Sequence, residues 1–144
     1  MFGEIEINFQ KSVNGISAGW VCGIIAATLK REKKKGSLSV LLTDNKNIRK
    51  INKQFLGHDT ATDVISFWLE KKTLAKNETG FLGELVVSHE MAKQLSRELG
   101  ISFKEELGRY LIHGTLHLLG YDDKKEKDHM KMHRRQEFIL RKVL

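Results

Sequence analysis

Hydrophobic residues recur along the chain at two spacings, which predict short strands and amphipathic helices. Alternating or continuous apolar residues predict four strands, over residues 4–9, 38–43, 63–67 and 82–87. Spacings of three and four residues predict five helices, beginning at or just after Ser17, Asp44, Ser88, Ser102 and Lys124. The chain has no proline, so glycines mark the ends of the first four helices: Gly36, Gly57, Gly100 and Gly120.

The order of these elements predicts the fold class. Helices separate the first three strands, which allows parallel pairing, whereas the third and fourth strands follow one another across the polar segment 71–80 and can pair antiparallel. We therefore expect an α+β (mixed α/β) fold in which a four-stranded mixed sheet packs against about five helices. A length of 144 residues predicts a single domain over residues 1–144.

Cysteine content and the lack of targeting signals indicate a cytoplasmic protein. Cys22 is the single cysteine, so no intramolecular disulfide can form, which fits a reducing compartment. The N-terminus alternates apolar and polar residues and lacks the basic start and apolar block of a secretory signal. The apolar run 21–29 is shorter than the roughly 20 residues that span a bilayer, so we expect no membrane association.

The charge of the chain is strongly basic. Lys and Arg number 25 against 18 Asp and Glu, a formal net charge of +7. Much of this charge lies in two stretches, 30–35 and 124–142. Basic clusters attract polyanions such as RNA through counterion release. Each stretch taken alone is equally well explained as a solvated helix face that keeps the protein soluble.

The segment HGTLHLLGYDD, residues 113–123, carries the pattern of a metal site. His113 and His117 lie four residues apart on a predicted helix and therefore share one face. Gly120 allows a left-handed turn that returns Asp123 toward the same face. Two imidazoles and a carboxylate suit one Zn²⁺ ion and leave a position open for water, as in catalytic zinc sites. The alternative is a pair of core histidines bonded to the backbone.

The same spacing matches the metzincin pattern HExxHxxGxxH at every ligand and turn position. Gly114 replaces the catalytic Glu of those peptidases, and Asp123 replaces their third His. Asp122 competes with Asp123 as the third ligand, and Asp123 is preferred because its offset from His113 matches the pattern. A second pair, His129 and His133, has the same spacing but lies among Lys and Arg side chains that would repel a cation.

Three blocks of the sequence resemble the bacterial YbeY family, the endoribonucleases of ribosomal RNA maturation. HGTLHLLGYDD is similar to the family signature HGxLHLxGYDH. The stretch LLTDNKNIRKINKQFLGHDTATDVISF resembles the block that ends in "TDVLSF", and LGELVVS resembles "GDIxIS". The blocks occur in the family's order and cover most of residues 38–123.

The resemblance implies a fold, a metal and a substrate. It implies a mixed four-stranded sheet and one Zn²⁺ ion on His113, His117 and Asp123, with Asp in place of the usual third His. A carboxylate loosens the preference for zinc, so another divalent ion is an alternative. It also implies cleavage of single-stranded RNA during maturation of the 3′ end of 16S ribosomal RNA and in 70S ribosome quality control, with the small subunit as partner. Leu56 stands where many family members have a functional Arg.

Two further residues are candidates for catalysis, and two other functions stay open. His58 and Asp63 lie in the block that resembles the family, with Asp59 between them, and Phe67 and Trp68 are candidates for stacking on bases. The first alternative is a metallopeptidase-like hydrolase, which would need a replacement base, with Glu84 the sole candidate. The second is a non-enzymatic ribosome-binding factor with a structural metal, which a fourth protein ligand would favour.

Overall fold

The computed structural model describes residues 4–68 and 80–144. These residues form four strands: β1 (Ile5–Phe9), β2 (Ser37–Thr43), β3 (Val64–Trp68) and β4 (Phe81–Ser88). They also form five helices: α1 (Ala18–Arg31), α2 (Asn45–Leu56), α3 (His89–Leu99), α4 (Phe103–Leu118) and α5 (Glu126–Val143). The predicted number and order of elements are confirmed for this part of the chain.

The sheet is mixed, as predicted. Its strand order is β1-β2-β4-β3, with β1–β2 and β2–β4 parallel and β3–β4 antiparallel. Helices α1 and α2 follow β1 and β2, which is the connection that parallel neighbours need. Of the segment 71–80, which was predicted as a loop, residues 71–79 lie outside the described residues. The predicted α+β class with a four-stranded mixed sheet is confirmed.

Side-chain caps fix the starts of four helices where the sequence predicts them. Ser17, Asp44, Ser88 and Ser102 each accept a hydrogen bond from the backbone N–H three residues on. The predicted end of α1 was wrong. The helix ends at Arg31, before the predicted stop at Gly36, and Lys33 takes the left-handed conformation (φ 54°) that was expected of the glycine. The side chain of Glu32 at this position is held by residues distant in sequence, which helical periodicity does not report.

Helices cover both faces of the sheet unequally. The main core lies between the sheet and helices α1, α4 and α5, and contains the inward-facing β2 residues Leu38, Val40 and Leu42. A smaller cluster on the other face joins Ile48 of α2 to Ile65 and Val86. The long central helix α4 contacts α1, α3, α5, β3 and β4, so its side chains meet groups from most of the molecule.

Helix α4 lies unusually close to the sheet at Gly114. A Cβ atom at this position would lie 2.9 Å from Leu85 Cδ2 and 2.9 Å from Val64 Cγ2. The Ser66 hydroxyl donates a hydrogen bond to the Gly114 carbonyl oxygen at 3.1 Å, which attaches the helix backbone to β3. The glycine between the two histidines is therefore consistent with tight packing, since a Cβ atom here would displace the side chains of Leu85 and Val64.

No helix of residues 4–68 and 80–144 is long and apolar enough to cross a membrane.

Candidate metal centre and the cavities beside it

Helix α4 presents His113 and His117 side by side, and the turn that follows brings Asp123 to them. The ring centroids of the two histidines are 4.7 Å apart. Gly120 adopts a left-handed conformation (φ 102°), as the sequence predicts for the turn. Asp123 Oδ2 lies 3.5 Å from His117 Nε2, and one donor atom from each of the three residues lies within 4.8 Å of the others. These three residues, grouped from sequence spacing, do lie together.

Hydrogen bonds orient both imidazole rings. His113 Nδ1 lies 2.7 Å from Gln136 Oε1, and His117 Nδ1 lies 3.0 Å from the carbonyl oxygen of Tyr121. Both partners accept hydrogen bonds, so each Nδ1 carries a proton, and in the neutral ring the Nε2 atom then has a free lone pair. A partner of this kind fixes the tautomer and the orientation of a metal-binding histidine.

A buried polar network stands behind His113. Gln136 Nε2 donates a hydrogen bond to Glu137 Oε2 at 3.0 Å, which fixes the orientation of its amide. Arg109 binds Glu137 through two hydrogen bonds of 2.9 and 3.0 Å and also pairs with the buried Glu106. The hydrogen bonds from Arg109 lower the pKa of Glu137. The network thus joins α4 to α5 and holds the amide that positions His113.

A second network holds the turn that carries Asp123. The Tyr121 hydroxyl donates to Glu32, and Arg135 Nε donates to the other Glu32 carboxylate oxygen at 2.6 Å. Burial and the bond to Glu32 raise the pKa of Tyr121 to about 12. Glu32 therefore links the end of α1 to α5 and to the turn. Because Tyr121 also supplies the carbonyl oxygen for His117, this link positions the ring and the turn together.

The charge state and spacing of these groups fit a divalent metal ion. Burial lowers the pKa of His113, which favours the neutral ring that metal binding requires, although the Gln136 bond opposes this shift. Two ligands of a tetrahedral zinc ion, each about 2.0–2.1 Å from the metal, lie about 3.3 Å apart. The 3.5 Å between His117 Nε2 and Asp123 Oδ2 is close to that value. Among the described residues, no fourth potential ligand joins the group.

The competing candidates occupy different positions. Asp122 Oδ1 accepts a hydrogen bond from the backbone N–H of Lys124 at 2.9 Å and does not join the cluster. His129 and His133 are exposed on α5 and line the same cavity as His113, but within the part of the chain that is described they do not form a three-residue group with a carboxylate.

The structure separates the two candidate catalytic residues. Asp63 and His113 both line a cavity of about 290 Å³, and the negative charge of Asp63 acts to raise the pKa of His113. His58 is exposed in the loop after α2 and lines neither this cavity nor the larger one beside His117. Asp59 forms an exposed ion pair with Arg49 at 2.8 Å. Asp63 is therefore close to the histidines, and His58 is not in either cavity.

Strand alternation puts the two candidate aromatic residues on opposite faces of the sheet. Trp68 faces α4 and stacks against His117, with ring centroids 6.3 Å apart and an interplanar angle of 24°. Phe67 faces α2 and contacts Phe55 edge to face at 5.8 Å. Glu84 lines a cavity on the same face as Phe67, away from the histidines. A metallopeptidase would need Glu84 as its general base, but Glu84 does not lie near the metal cluster.

Sequence reasoning missed Gln136 and Tyr121, although the sequence holds a signal for one of them. Gln136 occupies a buried position between Met132 and Leu140 on the apolar face of α5, where a polar side chain needs a partner. No comparable signal identifies Tyr121, because its contribution to the site is a backbone carbonyl.

Together the fold and the cluster define a class of protein: a small mixed α/β protein with two histidines and a carboxylate grouped at the end of its central helix. The model of the family described as Endoribonuclease YbeY matches residues 6–144. The chain therefore belongs to the YbeY family of endoribonucleases, as the sequence motifs predict.

Similar proteins agree with this assignment. An Endoribonuclease YbeY from Oceanobacillus iheyensis is 37% identical over 147 residues, covering 94% of this chain and 96% of the relative. One from Pelagibacter ubique is 41% identical over 108 residues, covering 75% and 70%. A solution structure of a protein from Thermotoga maritima superimposes with a TM-score of 0.68 at 27% identity, covering 96% of this chain and 88% of that one.

Proposed function

We propose that this protein is a metal-dependent endoribonuclease of one domain that cleaves single-stranded RNA, with one divalent ion bound by His113, His117 and Asp123. The observation that carries the proposal is the group of three donor atoms on a chain of an endoribonuclease family. Zn²⁺ is the proposed ion, since two imidazoles and a carboxylate are its usual catalytic ligands. Another divalent ion is the alternative, because the Asp123 carboxylate is a harder ligand than imidazole.

The protein's contribution to the reaction is to hold its donors in place and to keep a proton acceptor nearby. An ion bound at this site would polarise a phosphoryl oxygen and lower the pKa of its bound water. Gln136 and the Tyr121 carbonyl hold the Nδ1 atoms of the two rings, so both Nε2 atoms would be free to bind an ion. Asp63, beside His113, is the proposed proton acceptor. His58 lines neither cavity, so its proposed catalytic role is a contact with a phosphate of the bound RNA, supported by its exposure and its motif.

The proposed biological substrate is ribosomal RNA. The family resemblance supports action on the 3′ end of 16S ribosomal RNA and in 70S ribosome quality control, with the small subunit as partner and the cytoplasm as location. Exposed lysines support binding of a polyanion of this kind. Ribosomes that carry an unprocessed 16S 3′ end would be the substrate for a direct test of this part of the proposal.

The test of activity compares two histidine variants on three substrates. Metal-loaded protein is incubated with a labelled single-stranded RNA, the same RNA as a duplex, and casein, beside His117→Ala and the control His89→Ala, whose histidine lines neither cavity. We expect cleavage of the single strand alone by the native protein and by His89→Ala. In His117→Ala we expect a loss of more than about 100-fold, since losing even an outer partner of a ligand costs about 10–100-fold.

Three outcomes would contradict the proposal. Casein hydrolysis that depends on His117, with RNA left intact, would favour the metallopeptidase alternative. RNA binding without cleavage would favour a ribosome-binding factor. Full activity in His117→Ala would remove this site from catalysis.

A further inference from the structure

A cavity of about 620 Å³ opens beside His117, and its lining combines apolar, aromatic and basic groups with the carboxylates of Asp122 and Asp123. It lies between the end of α1, the end of β3, the start of β4 and the turn after α4. We propose that this cavity is a subsite for one unpaired nucleotide of the RNA, in which Trp68 stacks on the base and Lys34, Lys35 and Lys124 bind the flanking phosphates. This inference rests on the proposed function and adds to it the contacts that select the substrate.

Trp68 has the position and exposure of a stacking platform. It is the last residue of β3, and the alternation of that strand turns it to the face of the sheet that carries α4. One side of its ring stacks against His117, yet 56% of the residue is exposed. A large aromatic side chain left mostly in water contributes only part of the hydrophobic stabilisation that full burial would give, so burial alone does not explain its position.

The three lysines supply positive charge on the same cavity from two separate parts of the chain. Lys34 and Lys35 follow α1, and Lys124 precedes α5. Across residues 4–68 and 80–144, none of the three is within ion-pair distance of a carboxylate. Their charges are thus available to phosphates, which single-stranded nucleic acid presents on both sides of each base.

Other basic groups of the same two stretches have structural roles. Arg135 pairs with Glu32, and the cationic groups of Arg31 and Lys142 lie within 6 Å of the Phe138 ring. These contacts lie at the junction of α1 and α5 and do not involve the three lysines of the cavity.

The arrangement accounts for a preference for single strands. A base in a duplex is stacked on both faces and paired along its edge, so it cannot enter a recessed cavity and stack on a protein ring. An unpaired base can do so, and stacking on an aromatic side chain accepts any base because every base has a π face. Since Trp68 contacts His117, a base stacked there would hold its neighbouring phosphate next to the metal cluster.

Tryptophan fluorescence tests binding directly, because a base that stacks on Trp68 should quench its emission. The chain has two tryptophans, so in a Trp20→Phe background Trp68 is the sole tryptophan emitter. Stopped-flow mixing with a single-stranded RNA decamer should quench Trp68 emission before cleavage. The same RNA as a duplex, and an abasic ribose-phosphate oligomer of equal length, should not quench it. Unchanged emission at saturating single strand would overturn the proposal.

Kinetics test whether stacking contributes to substrate use. Trp68→Ala should raise KM about 10-fold with kcat nearly unchanged, and Trp68→Phe should recover most of the difference. Phe55→Ala is the matched control, since Phe55 is 62% exposed but lies on the opposite face of the sheet. Equal KM values for Trp68→Ala and the native protein, with equal melting temperatures, would overturn the stacking role.

The salt dependence tests the lysines. Replacing Lys34 and Lys35 together by Ala should lower the slope of log affinity against log salt by about 1.4, at about 0.7 per phosphate on a single strand. Replacing the exposed α2 residues Lys46 and Lys50 by Ala removes the same amount of charge at a place distant from the cavity. This control should change the slope of log affinity against log salt only slightly. Equal slopes for the two double variants would contradict the phosphate contacts.

The two proposals fail in different ways. If the native protein cleaves RNA and Trp68→Ala does so with an unchanged KM, the subsite is wrong and the proposed function stands. If single-stranded RNA quenches Trp68 but no preparation cleaves RNA, the proposed function is wrong and the subsite stands as a binding site.

Discussion

At the scale of single residues, the candidate centre depends on which atom of each side chain is left free. The Nδ1 atoms of His113 and His117 are occupied by Gln136 and by the Tyr121 carbonyl, so both Nε2 atoms remain available. The third donor is held less firmly, since Asp123 follows a turn and its side chain is 41% exposed. The identity of the third ligand is therefore the part of the site that most needs a direct measurement.

Replacing each of the two adjacent aspartates tests this ligand. Asp123→Ala should weaken metal affinity by at least about 10-fold, because it removes one of three donors, and Asp123→His should keep the metal at a similar ligand distance, about 2.0–2.2 Å. Asp122→Ala is the matched control and should change affinity little, since Asp122 binds the Lys124 N–H instead. Competition titration with a chromogenic chelator measures all three. A larger effect of Asp122→Ala would show that the register after Gly120 is shifted by one residue.

At the scale of secondary structure elements, the close packing of α4 on the sheet explains both the sequence and the geometry of the centre. The helix carries the two histidines, and Gly114 between them lets it lie against β3 and β4. A glutamate at this position would have to displace the side chains of Leu85 and Val64. Trp68, at the end of β3, reaches His117 only because the helix is this close.

Two Gly→Ala substitutions in helices should change stability in opposite directions. Gly114→Ala should lower the free energy of unfolding by about 1–3 kcal/mol, because the added methyl group would overlap Leu85 and Val64. Gly23→Ala, in α1, meets nothing within 4 Å and should raise it by about 0.5–1 kcal/mol. Urea unfolding followed by circular dichroism measures both. Stabilisation by Gly114→Ala would show that the helix can move away from the sheet at little cost.

At the scale of the whole molecule, some basic residues form ion pairs within the fold and others line the cavity of the proposed subsite. Arg109 and Arg135 are engaged with buried or half-buried carboxylates and join α5 to α4 and α1. Lys34, Lys35 and Lys124 line the cavity beside His117. The net charge of +7 alone does not distinguish these groups. Both ion-pair networks end at the candidate centre, so metal binding and global stability should be coupled.

Removing the metal should therefore lower the melting temperature. At a free metal concentration about 100 times the dissociation constant, binding contributes about 2.7 kcal/mol to stability. For a chain of this size, 1 kcal/mol corresponds to about 2–4 °C, so a chelator should lower Tm by roughly 5–10 °C. His89→Ala, which leaves the three donors and both cavities intact, should show the same shift in differential scanning calorimetry, and His117→Ala should show little. A native protein that melts at the same temperature with and without chelator would contradict a bound ion at this site.

The sequence by itself determined the number and order of the strands and helices, the mixed pairing of the sheet and the family. It also determined the grouping of His113, His117 and Asp123. These features are encoded locally: caps, helical spacing and a glycine turn act over a few residues. Only the tertiary structure decided which distant residues complete the site: Gln136 behind His113, Glu32 behind the turn, and Trp68 against His117. Periodicity reports which face of an element is buried but not which element covers it, because that depends on how the helices pack on the sheet.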